Sequence, residues 1–237
     1  MFIVEDGEKL SETDRKKFHT LVAKLLFLSK RARPEISLAN GFLCTRVTKA
    51  TAQDRLKLLR VLGYLKRTKK RVLILKIGKY QDLLAYVDAA FAMHPDAKSQ
   101  TGITVFLGRA LVFAASRKQK CVTKSPTDSE LVALSDNVQF IELFAEFIAF
   151  VTNTEIKAPL IYEDCTAVIS LVMEGGGIAR TKHLRVRIEL CRQALKEKKW
   201  RLEYINTKNM IADGLTKVLE GEAFAKFADT VLGTSVD

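Results

Sequence analysis

The spacing of apolar residues changes near Gly78, and this change limits the possible folds more than any other feature of the chain. Before Gly78, apolar residues recur every three or four positions, as in amphipathic helices. We expect helices over residues 14–29, with Ser11 as the N-cap, and over residues 36–46 and 51–66. After Gly78, short apolar runs separated by turn residues are typical of β-strands.

The elements expected after this change describe a mixed sheet covered by helices. The expected strands span residues 83–91, 103–107, 111–115, 160–163 and 201–205, with a further β-like segment at 72–77. The expected helices span residues 128–152, 166–174, 184–198, 210–219 and 222–232. We therefore predict an α/β chain, with a small helical region over residues 1–78 and a second domain over residues 79–237.

The charge of the chain favours a polyanionic partner. Lys and Arg number 39 against 27 Asp and Glu, which gives a net charge of +12. Such an excess fits nucleic acid or an anionic membrane surface, although a soluble protein with a basic surface is an alternative. No apolar stretch approaches the roughly 20 residues of a membrane span. The N-terminus lacks the pattern of a signal peptide, so we expect neither secretion nor a membrane partner.

The cysteines argue against a structural zinc site and against a disulfide framework. They are scattered and form no CxxC pair: Cys44, Cys121, Cys165 and Cys191. A reducing compartment is the simpler interpretation.

Some acidic residues stand inside or beside apolar segments, where an unpaired charge is costly to bury. They are Asp88, Glu130, Asp164 and Asp213. Magnesium prefers oxygen ligands, and two such ions can clamp the attacking and leaving oxygens of a phosphoryl transfer. If the first and fourth strands are parallel neighbours, Asp88 and Asp164 lie side by side, and helices at that edge could add the other two acids.

Each of these acids also has a purely structural interpretation. Thr127 and Glu130 have the spacing of a capping box, Asp164 could be the N-cap of the next helix, and Asp213 could be a surface acid. Asp88 is the hardest to explain in this way, because strands disfavour aspartate and its neighbours are apolar. Periodicity alone therefore leaves the site open.

A series of motifs, in chain order, resembles the ribonuclease H domains of copia-type retrotransposons. They are YVDAAF (86–91), KSQTGITVFLG (98–108), SRKQK (116–120), SPTDSELVALS (125–135), IYEDCTAVISL (161–171), ARTKHLRVRI (179–188) and LEYINTKNMIADGLTKVL (202–219). Two helical segments resemble the region after the polymerase palm of the same polyproteins. They are HTLVAKLLFLSKRARPEISLA (19–39) and LKLLRVLGYLKRTK (56–69). The chain thus resembles the C-terminal part of a Pol polyprotein: the end of the reverse transcriptase thumb or connection, followed by ribonuclease H.

This resemblance implies a fold, an activity and partners. The implied fold is a ribonuclease H-like mixed five-stranded sheet flanked by helices. The implied activity is endonucleolytic hydrolysis of the RNA strand of RNA–DNA hybrids with two Mg²⁺ ions, or Mn²⁺ in their place. The implied partners are the hybrid and the rest of the polyprotein, including reverse transcriptase palm and fingers and integrase. The implied location is a cytoplasmic virus-like particle or the nucleus.

The resemblance also assigns catalytic and metal-binding roles to the four acids. Asp88 falls on the first-strand aspartate of the family and would bridge both ions. Glu130 and Asp164 fall on the helix glutamate and the fourth-strand aspartate, and would hold the ion nearer the leaving group. Asp213 falls on the C-terminal aspartate and would hold the ion that activates water. Basic residues that could contact nucleic-acid phosphates are Arg117, Lys118, Arg180, Lys182 and His183.

Departures from the family pattern leave alternatives open. Ala90 stands in place of a second aspartate of the opening motif, Cys165 in place of asparagine, and Glu163 adds an acid. A catalytically inactive nucleic-acid-binding remnant of a reverse transcriptase is therefore the main alternative. The motif series argues against a generic integrase-type nuclease, and too few residues precede Tyr86-Val87-Asp88 for polymerase activity from this chain alone.

Overall fold

A computed structural model describes the chain over residues 2–4, 7–76, 82–175 and 184–234. The boundary expected between residues 78 and 79 lies outside these described ranges. Within them, no helix combines the length and the apolar character that a membrane crossing requires.

The N-terminal region consists of helices α1 (Glu12–Arg31), α2 (Ser37–Cys44) and α3 (Ala52–Arg67). The Ser11 hydroxyl accepts the backbone N–H of Asp14 at 3.1 Å, which confirms the predicted N-cap. The helices share an apolar core that includes Phe18, Val22, Leu25, Phe42, Leu43 and Leu58. This region is therefore a packed unit with its own core.

A mixed sheet forms the second part of the chain. Its strands are β1 (Leu83–Ala90), β2 (Lys98–Leu107), β3 (Ala110–Val122), β4 (Leu160–Glu163) and β5 (Arg201–Tyr204). The five strands lie in the order β3-β2-β1-β4-β5. The pairs β1–β2 and β2–β3 are antiparallel, whereas β1–β4 and β4–β5 are parallel. The predicted mixed five-stranded sheet, preceded by a helical region, is confirmed.

Helices cover both faces of this sheet. They are α4 (Pro126–Thr152), α5 (Thr166–Met173), α6 (Arg185–Lys196) and α7 (Gly221–Leu232). Because side chains alternate along a strand, β1 presents Val87 to the core that it shares with α4, α5 and α6. It presents Tyr86 to the opposite face, where α7 packs with a short 3-10 helix, Ile211–Leu215. Asp88 continues this second face, towards the 3-10 helix.

The helical region packs against the sheet domain close to that 3-10 helix. The rings of Tyr64 on α3 and Phe224 on α7 meet edge to face with centroids 5.5 Å apart. Arg71 forms an ion pair of 2.8 Å with Asp229. The helical region therefore borders the segment that carries Asp213.

Two predicted elements are wrong. Residues 72–76 of the β-like segment form no strand, and the Ile74 N–H instead donates to the Leu232 carbonyl at 2.8 Å, along the end of α7. The helix predicted over residues 210–219 is reduced to the 3-10 helix, which is pressed tightly against β2. Strands β2 and β3 are longer than predicted, because their polar ends pair in the sheet without an apolar pattern.

Candidate active site

Three of the four acids converge at one edge of the sheet. Carboxylate oxygens of Asp88, Glu130 and Asp164 all lie within 4.8 Å of one another. The parallel register pairs Tyr86 with Tyr162, and two further residues along each chain bring Asp164 to the level of Asp88. The strands are parallel neighbours, as the sequence argument required.

Glu130 reaches this group from the start of α4. The N-cap of α4 is Ser125, whose hydroxyl accepts the Asp128 N–H at 3.1 Å, and Thr127 lies inside the helix. The capping-box interpretation of Glu130 is therefore wrong. Glu130 is buried, and its Oε2 atom has no hydrogen-bond partner among the described residues.

A buried glutamine ties the start of α4 to the sheet. The Gln119 amide nitrogen on β3 donates to the Ser129 carbonyl at 2.9 Å and to the Thr101 hydroxyl at 3.0 Å. Ser129 directly precedes Glu130, so this pair of hydrogen bonds limits the movement of the Glu130 backbone relative to β2.

Asp164 is held by a residue from a distant part of the chain. The N-cap of α5 is Cys165, so the alternative that Asp164 caps this helix is wrong. The Thr207 hydroxyl donates to Asp164 Oδ2 at 2.7 Å. Because Thr207 lies just before the 3-10 helix, this hydrogen bond links Asp164 to the segment that carries Asp213.

Asp213 joins the group through a lysine. The Lys217 ammonium lies 2.6 Å from Asp213 Oδ1 and 3.5 Å from Asp88 Oδ1. The Thr216 hydroxyl donates a short hydrogen bond to Asp88 Oδ2. The structure therefore brings all four predicted acids together, with the Lys217 ammonium in contact with both Asp213 and Asp88.

Two glycines allow the 3-10 helix to pack this closely, Gly102 at its contact with the sheet and Gly214 at its contact with α7. A Cβ atom on Gly102 would lie 2.8 Å from the Ala212 carbonyl oxygen and 2.9 Å from the Leu215 Cβ. A Cβ atom on Gly214 would lie 2.4 Å from the Phe227 ring. Neither position has space for a side chain, so both glycines are needed to place Asp213 beside β1.

Three of the four site acids have a raised pKa and so hold protons more tightly than isolated carboxyl groups. Burial raises the pKa of Asp88 to about 6, opposed by the Lys217 ammonium and reinforced by Asp213. Burial also raises the pKa of Asp213. It raises the pKa of Glu130 well above its ordinary value and the pKa of Glu163 to about 8. Burial alone would lower the pKa of Lys217, but the carboxylates of Asp88 and Asp213 outweigh it and raise this pKa. Burial is thus the main reason why these carboxyl groups lose their protons less readily, and the neighbouring acids add to it.

The donor set fits divalent cations that prefer oxygen. Asp88, Glu130 and Asp164 offer only carboxylate oxygens, which are the ligands that Mg²⁺ and Mn²⁺ favour. The Oε2 atom of Glu130 is buried without a partner, and such an atom is costly unless something binds it. Asp88 and Asp213 together could hold a second ion.

Comparison with known proteins identifies relatives over nearly the whole chain. No protein-family model matches the sequence. The chain is 29% identical over 231 residues to the retrovirus-related Pol polyprotein from transposon RE1 of Arabidopsis thaliana. It is 28% identical over 226 residues to the corresponding polyprotein from transposon RE2. The chain is a homologue of retrotransposon Pol polyproteins.

The similarity covers only a part of each Pol polyprotein. The two alignments include 97% and 95% of this chain but 16% and 15% of the polyproteins. Among solved structures, ribonuclease H1 from Halobacterium salinarum NRC-1 aligns with 61% of this chain and 98% of its own, at 16% identity and a TM-score of 0.43.

The residues predicted to contact nucleic acid differ from one another in their surroundings. Arg117 is exposed on β3, with its guanidinium 5.7 Å from the Phe113 ring centroid. Lys118 forms an ion pair of 2.7 Å with Asp96, which a phosphate would have to displace. Arg180, Lys182 and His183 lie outside the described residues.

Sequence reasoning missed Lys217, Thr216 and Thr207 as site residues. A signal was present for Lys217, because it follows Asp213 by four positions, a spacing that favours acid–lysine pairs. Thr207 gave no local signal, since its partner Asp164 lies 43 positions away in the sequence. Glu163, noted as an added acid, is fully buried, and its Oε1 accepts the Cys165 N–H at 3.1 Å.

Proposed function

We propose that this chain hydrolyses the RNA strand of RNA–DNA hybrids with two divalent metal ions, as part of a retrotransposon polyprotein. The observation that carries this proposal is the convergence of Asp88, Glu130 and Asp164 within 4.8 Å, beside Asp213. These acids come from separate elements of a ribonuclease H-like sheet and coincide with the carboxylate positions that the motif series implies. The homology to Pol polyproteins supports the same activity class.

The residues of the chain have distinct tasks in this proposal. Asp88, Glu130 and Asp164 would hold one ion, and Asp88 with Asp213 would hold the other. Bound divalent ions lower the pKa of an attacking water and stabilise negative charge that develops on the phosphate. Thr216 and Thr207 orient the carboxylates of Asp88 and Asp164 through their hydroxyl groups.

The basic charge of the chain supports a polyanionic substrate. A net charge of +12 attracts the two phosphate backbones of a hybrid, and these contacts position the strands without reading sequence. Arg117 is exposed on β3, so its guanidinium is accessible to a phosphate.

A binding remnant that has lost catalysis is the second candidate. The observation that favours it is Lys217, whose ammonium already contacts both Asp88 and Asp213. Such a remnant would bind the hybrid in a salt-sensitive way but would cut neither strand.

Strand specificity tests the proposal. Each strand of an RNA–DNA hybrid is labelled in turn, and RNA duplex and DNA duplex of the same sequence serve as comparison substrates. We expect Mg²⁺-dependent cleavage of the RNA strand of the hybrid alone, leaving 5′-phosphate and 3′-hydroxyl ends. Cleavage that persists in a chelator, or equal cleavage of the RNA duplex, would contradict the proposal.

A further inference from the structure

The Lys217 side chain lies where a second divalent ion would have to bind. Its ammonium contacts Asp213 Oδ1 at 2.6 Å and Asp88 Oδ1 at 3.5 Å. A magnesium ion shared by these oxygens would stand about 2.1 Å from each. The ammonium and the ion therefore cannot occupy this position together.

The other half of the site shares only Asp88 with the ion pairs of Lys217. Asp88, Glu130 and Asp164 form the group whose oxygens lie within 4.8 Å of one another. Among the described residues, the ion pairs of Lys217 involve Asp88 and Asp213 but neither Glu130 nor Asp164. A first divalent ion can therefore bind to this group while Lys217 keeps its contact with Asp213.

A neighbouring cavity offers space for a displaced Lys217 side chain. Its side chain is 41% exposed, and it borders a cavity of about 280 Å³ between α3 and the 3-10 helix. The wall of this cavity also includes Val61, Tyr64 and Leu219, which offer apolar surface to the stem of a displaced lysine. The ammonium can therefore leave the carboxylates while the stem remains packed.

We propose that the Lys217 ammonium occupies the Asp88–Asp213 half of the site and keeps a second divalent ion out of it. This inference rests on the proposed function. The nucleic-acid-free protein then binds one divalent ion, at Asp88, Glu130 and Asp164. A second ion binds only after the Lys217 ammonium has moved away from Asp88 and Asp213.

Counting bound Mn²⁺ tests this proposal without any measurement of activity. The native chain is titrated with Mn²⁺ in the absence of nucleic acid, and free Mn²⁺ is measured by its electron paramagnetic resonance signal. We expect one bound ion per native chain and two per chain of Lys217→Met. Lys217→Arg keeps the charge and should keep one bound ion. Lys24→Met, which removes an exposed lysine on α1, should also leave the number at one.

The outcomes separate this inference from the proposed function. Two bound ions in the native chain, or one in a folded Lys217→Met chain, would overturn the role of Lys217 and leave the proposed nuclease intact. The thermal unfolding transition of each variant shows whether it is folded. If Lys217→Met does not fold, two bound ions in Lys217→Arg would overturn the proposal and one would support it. Absence of Mn²⁺ binding in every variant would contradict the metal site and with it both proposals.

Discussion

Gly102 lies directly opposite Asp88 in the antiparallel pairing of β1 and β2. Because Gly102 has no side chain, the Ala212 carbonyl oxygen can lie only 2.8 Å from the position that a Cβ atom would take. This approach places the 3-10 helix over β1, so that Thr216 and Lys217 reach the Asp88 carboxylate. One glycine thereby controls the distance between two of the four acids.

Replacing Gly102 by alanine should separate these acids. The added methyl group would meet the Ala212 carbonyl and the Leu215 side chain, so the 3-10 helix must shift. We expect a loss of about 1–3 kcal/mol in the free energy of unfolding, as for other overpacked sites. Cleavage of the hybrid should fall by at least about tenfold, since misplaced catalytic groups are costly. Denaturant titration and initial rates measure the two effects.

Gly63→Ala is the matched control for this substitution. Gly63 lies inside α3, and a Cβ there would contact only the end of the Arg67 side chain, at 3.6 Å. Alanine favours a helix interior by up to about 1 kcal/mol over glycine, so this variant should be as stable as the native chain or more so. Equal effects of the two substitutions would contradict the steric account of Gly102.

The strand positions of the acids could be predicted from the sequence. Asp88 interrupts an apolar strand, and its proximity to Asp164 depends on one condition stated from the sequence, the parallel pairing of β1 and β4, which the structure meets. The contact between Lys217 and Asp88 could not be predicted, because it depends on how closely the 3-10 helix approaches β2. That distance depends on Gly102, and this glycine does not alter the apolar pattern.

Errors in the predicted elements have the same origin. Residues 72–76 alternate like a strand, yet their backbone bonds to the end of α7 at Leu232. The start of β2 at Lys98 is polar and gave no strand signal, although Gln100 pairs with Ala90 in the sheet. Tertiary hydrogen bonding, which is not visible in local periodicity, decides both cases.

Asp88→Asn should stabilise the metal-free protein at neutral and higher pH. Burial raises the pKa of Asp88 to about 6 from an ordinary 3.8, so the folded state binds this proton more tightly than the unfolded state. The resulting stability is present below about pH 4 and is lost as the pH rises through about 6. The asparagine variant avoids this loss, on the order of 1–3 kcal/mol.

Urea unfolding in a chelator at pH 4 and pH 8 measures this effect. The gain of Asp88→Asn over the native chain should appear at pH 8 and shrink at pH 4. Excess Mg²⁺ should reduce it by stabilising the native chain through binding. A less stable Asp88→Asn at pH 8 in chelator would contradict the cost assigned to the buried Asp88 carboxylate.

Gln119→Leu should slow cleavage without weakening binding of the hybrid. The substitution leaves the Ser129 carbonyl and the Thr101 hydroxyl without the amide that joins them, which costs about 1–3 kcal/mol of stability. Because Ser129 precedes Glu130, kcat should fall by roughly tenfold while KM stays unchanged. Gln193→Leu, at an exposed glutamine on α6 that bonds only Glu197, should change neither constant. A rise in KM with constant kcat would contradict the positioning role.

The cavity between α3 and the 3-10 helix should contribute to hybrid binding. Arg60 and Arg67 line it together with Lys217, so phosphates that approach the acids pass near both arginines. The double substitution to alanine should weaken binding and reduce the slope of log affinity against log salt by about 2, if each contacts one phosphate. Replacing Lys24 and Lys226, two exposed lysines away from the cavity, should leave that slope nearly unchanged. Equal slopes for both double variants would exclude a specific role of the cavity.

Cleavage and binding measured on the same samples of native chain and Asp88→Asn test the central claim most directly. Asp82→Asn, at the other end of β1, is the control. If the carboxylates form the active site, the native chain and Asp82→Asn should both cut the RNA strand in the presence of Mg²⁺. The cleavage rate of Asp88→Asn should be lower by at least about 10³-fold, while its binding of the hybrid is retained. No cutting by the native chain despite tight, salt-sensitive binding, or equal cutting by Asp88→Asn, would contradict the claim.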